Sequence, residues 1–328
     1  MGVKIGEEKM KHGLFLAPMA GFSDRAMRVV CRENGAECSV SEMVSAKAIV
    51  FGDKKTVRLA RIREDEGPVA LQIFGSEPDT MARAAYLMQG GCEGYASPLA
   101  IDINMGCPVP KIFNNGEGSA LMRSPELIYN IVKSVGQNID LPVTVKMRAG
   151  INRESINAVE CALAAEAGGA ALICVHGRTR VEMYSGKADR EIIKKVKQSL
   201  RIPVIANGDI RCAEDAISML RDTSADGIAI GRGAVGNPFI FREIISALEG
   251  VEYRSPRLSE IIETALKQLR LSIEDKGERV AVPEARKQIA SYLTSFRGAA
   301  EIRGRINQSV SYTEIEKILL DALERCGE

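Results

Sequence analysis

The sequence predicts a (β/α)8 barrel followed by a small helical domain, a fold of the α/β class, and three observations carry that reading. Strand-like and helix-like stretches alternate eight times before about Leu248. The strand-like runs are continuous Val, Ile, Leu and Ala, not alternating, as a parallel sheet covered on both faces requires. Polar residues collect just past the carboxyl ends of those runs, the face where barrel sites form. A doubly wound open sheet is the alternative; eight units with no switch-point signal favour the closed barrel.

The elements follow in order. Gly13–Pro18 is a short apolar run, followed by an amphipathic stretch from Asp24 to Asn34. Cys38–Met43 reads as the second strand and Ala46–Ala60 as broken helix. Val69–Phe74 is the third strand, and Ser76–Met88 a helix with Pro78 at its start. The fourth strand begins at Ile101 and breaks at Gly106-Cys107-Pro108, since glycine permits unusual dihedrals and proline lacks an N–H. Ser124-Pro125 opens a helix, with serine as N-cap. Strands at Pro142–Met147, Ala171–His176, Ile202–Ala206 and Gly227–Ile230 complete the set. Helices at Ser155–Ala167, Asp189–Leu200 and Glu214–Leu220 lie between them.

After Leu248 strands disappear. Gly250–Leu258 reads as a linker, and Ser259–Ile273, Glu284–Phe296 and Tyr312–Arg325 are helical by spacing. The expected division is residues 1–248 for the barrel and 249–328 for the helical domain.

Composition narrows the function. Forty-four Lys and Arg against 43 Asp and Glu leave a net charge of +1, so a nucleic-acid partner would have to use a local patch. Tryptophan is absent and aromatics are 5%, which argues against a base-stacking platform. The eight cysteines form no CxxC pair and there are only two histidines, so no metal site is expected. Dispersed cysteines and the lack of a signal-like N-terminus lead to a cytoplasmic expectation, and no window has the length of a membrane span.

Candidate site residues sit past the strands. Cys107 is held where the fourth strand turns into a loop, with Asn104 ahead of it and Lys111 behind. A thiol there can reach a ligand, although a free cysteine is also a common buried hydrophobe. Lys146 lies in an apolar strand where a charge needs a partner, and Gln72 is an amide in a similar setting. A lysine near the pyrimidine edge of a flavin would stabilise the charge of its reduced form. Asn207-Gly208-Asp209 and Gly231-Arg232-Gly233 follow the last two strands and suit a phosphorylated ligand. Gly231–Gly236 also fits GxGxxG, but it follows seven other units and Asn237-Pro238 interrupts the helix it should open. His176, taken alone, reads equally as a satisfied histidine at a strand end.

Seven motifs in order carry a resemblance. They are Ala17-Pro18-Met19-Ala20-Gly21 with Asp24, Gln72 before Phe74-Gly75, and Asn104-Met105-Gly106-Cys107-Pro108. Then come Lys146-Met147-Arg148, His176-Gly177-Arg178-Thr179-Arg180, Asn207-Gly208-Asp209 and Gly231-Arg232-Gly233. Together they resemble the tRNA-dihydrouridine synthases over roughly residues 13–245. The stretch from Arg286-Lys287 to Arg303-Gly304-Arg305-Ile306-Asn307 is similar to the helical tail of the B-type subgroup.

The resemblance implies FMN at the barrel mouth, with Pro18, Met19 and Ala20 beside the isoalloxazine and His176 close to it. Gln72 and Lys146 would contact the pyrimidine side, and Asn207, Gly208, Asp209, Gly231 and Arg232 the phosphate end. It implies reduction of the C5–C6 double bond of uridine in tRNA with NADPH or NADH. Hydride would go from reduced FMN to C6, Cys107 would protonate C5, and Asn104, Arg148 and Arg178 would lie near the uracil. The helical domain would bind tRNA, and the protein would act as a monomer. Arg279–Arg305 holds six basic residues (Arg279, Arg286, Lys287, Arg297, Arg303 and Arg305) against Glu284 and Glu301, a run expected to meet phosphates. Two rival readings are an FMN-dependent barrel oxidoreductase acting on a free pyrimidine or small enone, and an RNA-binding protein without catalysis.

Overall fold

The computed structural model describes residues 2–293 and 298–326. Eight parallel strands close into a barrel: β1 (Leu14–Leu16), β2 (Cys38–Val40), β3 (Val69–Phe74) and β4 (Ala100–Met105), then β5 (Val143–Arg148), β6 (Leu172–His176), β7 (Val204–Asn207) and β8 (Gly227–Ile230). Each pairs with its sequence neighbour, β8 pairs back onto β1 through Ile228↔Leu14, and β2 joins β3 through Ser39↔Val69. Closure removes both sheet edges, which the doubly wound alternative would have kept.

The second strand is shorter than the sequence suggests. It stops at Val40, and a two-residue strand, Val44–Ser45, resumes pairing against Ile73 and Phe74. The third strand spans its expected residues, Val69–Phe74. Helix starts follow local chemistry. Asp24 accepts from Met27 N–H at 3.1 Å and Ser124 from Leu127 N–H at 3.2 Å, each relieving an orphan donor of a first turn.

Two layers of core hold the barrel. The outer layer packs strands against helices, with Leu71, Ile103, Val145, Ile173 and Val204 facing Ile131, Val135 and Ile193. The inner layer is closed at the amino ends by an antiparallel hairpin, Val3–Ile5 with Glu8–Met10, whose Val3, Ile5 and Met10 pack on Phe15, Ala100 and Leu172. That hairpin has no counterpart in the sequence reading, because three-residue strands give too little alternation to register.

The tail holds four helices among the described residues, Leu258–Lys276, Glu278–Ser291, Ala299–Gln308 and Tyr312–Cys326, not the three expected. They share a separate apolar cluster that includes Leu269, Ile289, Ile306 and Leu319. The second of them starts before Pro283, where the sequence reading begins only after it. Pro283 lies inside that helix, where it removes one intrahelical bond, and the helix continues past it. Arg297 and the Cys326 side chain, both named above, lie outside the described residues. No helix among the described residues is long and apolar enough to cross a membrane.

Candidate active site at the barrel mouth

A cavity of about 700 Å³ opens at the carboxyl ends of the strands, and every residue expected above to contact the flavin or the uracil lines it except Arg178. From β1 come Pro18, Met19 and Ala20, in a turn fixed by Met19 N–H donating to Ser23 Oγ at 2.8 Å. Gln72 on β3 and Asn104 on β4 reach it from the barrel floor. Asn104 Nδ2 donates to Gln72 Oε1 at 2.8 Å, and Gln72 Nε2 donates to Asp102 Oδ2 at 2.7 Å. Thr144 Oγ1 donates to the other Asp102 oxygen at 2.6 Å. Burial raises the Asp102 pKa, while these two bonds pull it back.

Cys107 is held from both sides. Asn104 Oδ1 accepts from Cys107 N–H at 2.9 Å and from Gly106 N–H at 3.2 Å. The Cys107 carbonyl accepts from Ser119 Oγ at 2.8 Å and Ser119 N–H at 3.2 Å. Gly118 allows this approach: at φ +61°, a Cβ there would stand 3.0 Å from the Cys107 Cβ. The thiol is 8% exposed, and burial pushes its pKa up, so it stays protonated at neutral pH.

Lys146 Nζ donates to Asn207 Oδ1 at 3.1 Å, and Asn207 Nδ2 donates to the Ala229 carbonyl at 2.7 Å. The amide therefore aims the ammonium across the cavity floor. Burial lowers the Lys146 pKa. His176 is pushed down to about 2 by burial and by the cations Lys146, Arg148, Arg178 and Arg232, so its ring is neutral. Arg178 Nη1 lies 3.3 Å from His176 Nε2, and because arginine only donates, the ring proton belongs on Nδ1.

Two arginines differ from the sequence expectation. Arg178 is 1% exposed and does not reach the cavity. It donates to the carbonyls of Ser185 at 2.9 Å and Gly186 at 2.8 Å, and to both Asp209 oxygens at 2.7 and 2.8 Å. A residue expected beside the base instead fastens the loop after β6. Arg148 lines the cavity, but its Nε donates to the carbonyl of Gly106 at 2.7 Å and its Nη1 to those of Thr179 at 3.0 Å and Met183 at 2.9 Å. It ties the cysteine turn to that same loop.

At the other end lie the glycine turns. Gly208, at φ +131°, has no room for a side chain, since a Cβ would meet Ala188 Cβ at 2.6 Å. A Cβ on Gly233 would come 2.1 Å from the Ile210 carbonyl. Arg232 reaches over these turns with Asp209 3.8 Å away, and no hydrogen bond among the described residues takes its donors. Burial pushes the Asp209 pKa up, but the Ala188 N–H and Arg178 outweigh it and hold the carboxyl below its ordinary range.

Tyr184 and Met183 from the loop after β6, and Lys287 and Ser291 from the tail helix Glu278–Ser291, also line the cavity. Sequence reasoning missed them as site residues, although Lys287 was marked for phosphate contact. No spacing rule brings a helix past the eighth unit back over the mouth. Among the described residues, no group of three His, Cys, Asp or Glu could hold a metal.

Fold and site define a (β/α)8-barrel protein with a polar, glycine-rimmed mouth partly covered by a helical tail. The chain belongs to the dihydrouridine synthase family, whose profile matches residues 15–326. It is 41% identical over 311 residues to tRNA-dihydrouridine synthase B of Pseudomonas aeruginosa, covering 93% of this chain and 91% of that protein. It is 38% identical over 334 residues to a probable tRNA-dihydrouridine synthase of Treponema pallidum, covering 99% and 97%. Among solved structures, the barrel is similar to histamine dehydrogenase from Rhizobium sp. 4-9, with TM-score 0.57 and 13% identity over 88% of this chain and 50% of that one. An old yellow enzyme homologue from Zymomonas mobilis gives TM-score 0.50 and 12% identity over 79% and 95%. At such identities the likeness is one of fold.

Proposed function

We propose that the protein is a flavin-dependent tRNA-dihydrouridine synthase that reduces uridine C5–C6 double bonds with NADPH or NADH, as a cytoplasmic monomer. The observation that carries this reading is the thiol of Cys107 on the same cavity as the Lys146 ammonium and the open Arg232 fork. The residues fit FMN: an unbonded guanidinium over two glycine turns suits a phosphate, and a lysine on the floor suits an electron-rich ring edge. Pro18, Met19 and Ala20 would flank the ring system. Gln72, Lys146 and His176 would face its polar edge, and Asn207, Gly208, Gly231 and Arg232 would take its phosphate end. Asp209 serves that end by orienting Arg178 and Arg232, since a carboxylate cannot itself bind phosphate.

FMN held there and reduced by NADPH or NADH would supply a hydride for C6 of the uracil. Cys107 supplies the proton: its S–H bond breaks as a C–H bond forms at C5, and the thiolate regains a proton from solvent. Arg148, close enough to lower the Cys107 pKa, steadies that thiolate. Asn104 fixes the height of the cysteine backbone over the floor. The target base must leave the tRNA fold to enter the mouth, which unpaired loop bases do most readily.

The tail qualifies the expected phosphate run. Arg286 Nε donates to the Ser309 carbonyl at 2.7 Å, Arg303 Nη1 to the Leu293 carbonyl at 2.6 Å, and Arg305 lies 3.6 Å from Asp321. These three hold the helices together. Arg279 and Lys287 are exposed and carry no ion pair among the described residues, so they are the phosphate contacts the reading favours. Arg279→Glu with Lys287→Glu should weaken tRNA binding and flatten its salt dependence by a log–log slope of about 1–2. Unchanged binding at every salt concentration would return these residues to a plain solvated face.

The reading as a whole is tested by anaerobic reoxidation of the reduced flavin. Unmodified tRNA should reoxidise it at micromolar concentration in a steeply salt-dependent way. Free uridine acting as well as tRNA, independent of salt, would favour a small-molecule oxidoreductase. A protein without flavin absorbance would favour an RNA-binding role. Arg232→Ala should purify with well under stoichiometric FMN; full flavin content would remove Arg232 from the phosphate end.

A further inference from the structure

We propose that Tyr184 is a positioning residue that holds Arg232 open for the phosphate of the bound flavin nucleotide. The proposal rests on the reading that Arg232 meets that phosphate. The Arg232 guanidinium lies 4.8 Å from the centre of the Tyr184 ring, and its only other close partner among the described residues is Asp209 at 3.8 Å. Its side chain is 54% exposed, so an unsupported arginine there would sample many rotamers and lose that freedom on binding an anion. A ring face attracts the guanidinium without using any of its N–H donors. A carboxylate partner in hydrogen-bond range would instead have occupied them. The arrangement leaves all five donors of the fork available, which is what phosphate recognition needs.

The ring itself is fixed through its backbone, not by burial. Tyr184 is 53% exposed, which little explains in a residue kept only for packing. On its N-terminal side the Met183 carbonyl accepts from Arg148, and Met183 sits at φ +49°, a conformation costly for a non-glycine residue. On its C-terminal side the Ser185 carbonyl accepts from buried Arg178. Two well-anchored guanidiniums thus pin the residues on either side of Tyr184. A third, Arg232, rests on the ring they hold, while the Arg148 guanidinium lies 5.7 Å from the same ring centre.

The test compares FMN with riboflavin, which lacks only the phosphate, by fluorescence titration of flavin-free protein refilled with each ligand. Wild type should prefer FMN strongly, and Arg232→Ala should lose most of that preference. Tyr184→Leu, which keeps bulk but removes the ring face, should weaken FMN binding about three- to thirtyfold and leave riboflavin unchanged. Tyr184→Phe should bind both as wild type does. In Arg232→Ala, adding Tyr184→Leu should cost nothing further, since the ring acts through that arginine. If Arg232→Ala keeps the full preference, the assignment of the phosphate end fails. If Arg232→Ala loses it but Tyr184→Leu does not, or if Tyr184→Leu weakens both ligands equally, the role given to Tyr184 is wrong. Failure of Tyr184→Phe to match wild type would overturn it in favour of the hydroxyl.

Discussion

Cys107→Ala should bind FMN and accept electrons from NADPH at the parent rate, yet pass them to tRNA about 10²–10⁴-fold more slowly, the usual contribution of a positioned general acid. Once hydride has arrived at C6, negative charge is spread over C5 and the O4 carbonyl, and product forms only when C5 takes a proton. The thiol suits that step because burial raises its pKa and keeps the proton in place until it is needed. Its backbone is bonded on both sides, through Asn104 and Ser119, so the sulfur enters the cavity from a fixed point. The alanine variant keeps those backbone bonds, which separates loss of the proton from loss of the turn. Stopped-flow reoxidation with unmodified tRNA under nitrogen reads the step directly. A variant that reoxidises at the parent rate would remove Cys107 from the chemistry.

Arg178→Leu should cost about 3–5 kcal/mol of stability, the usual penalty for deleting one partner of a buried charge network. The side chain is 1% exposed, and its loss would leave the Ser185 and Gly186 carbonyls without that donor and Asp209 with the Ala188 N–H bond alone. Urea unfolding measures the loss, and a change below about 1 kcal/mol would mean that water replaces the guanidinium at little cost. The pH dependence has a definite sign. Asp209 has a lowered pKa when folded, so its stabilisation is full above the ordinary carboxylate value of 3.8 and is lost as pH falls through the lowered folded value. Arg178→Leu should flatten that acid limb.

The sequence made the barrel legible because strands buried on both faces read as apolar runs, unbroken in Gly227–Ile230 and interrupted only by Gln72 in Val69–Phe74. The position of Cys107 was legible for a local reason: Gly106 and Pro108 end a strand wherever they fall. What stayed hidden depends on tertiary contact. Arg178 and Arg148 look alike along the chain, each a basic residue just past a strand. Only the fold shows that one is fully enclosed and that the other spends its donors on carbonyls. Arg286 and Arg303 likewise looked like free cations until helix packing supplied their carbonyl partners. Tyr184 carried no signal, since its meaning comes from Arg232, nearly fifty residues away along the chain. The inner hairpin and the helix Ala299–Gln308 are too short, or too interrupted by glycine, for periodicity to reveal.

The most direct measurement maps dihydrouridine in tRNA from cells lacking this gene and from the same cells complemented with wild type or with Cys107→Ala. Specific tRNA positions should lose dihydrouridine in the deletion, regain it with wild type, and stay unmodified with the cysteine variant. A deletion strain whose tRNA keeps every dihydrouridine, while the purified protein shows no tRNA-dependent flavin reoxidation, would contradict the account.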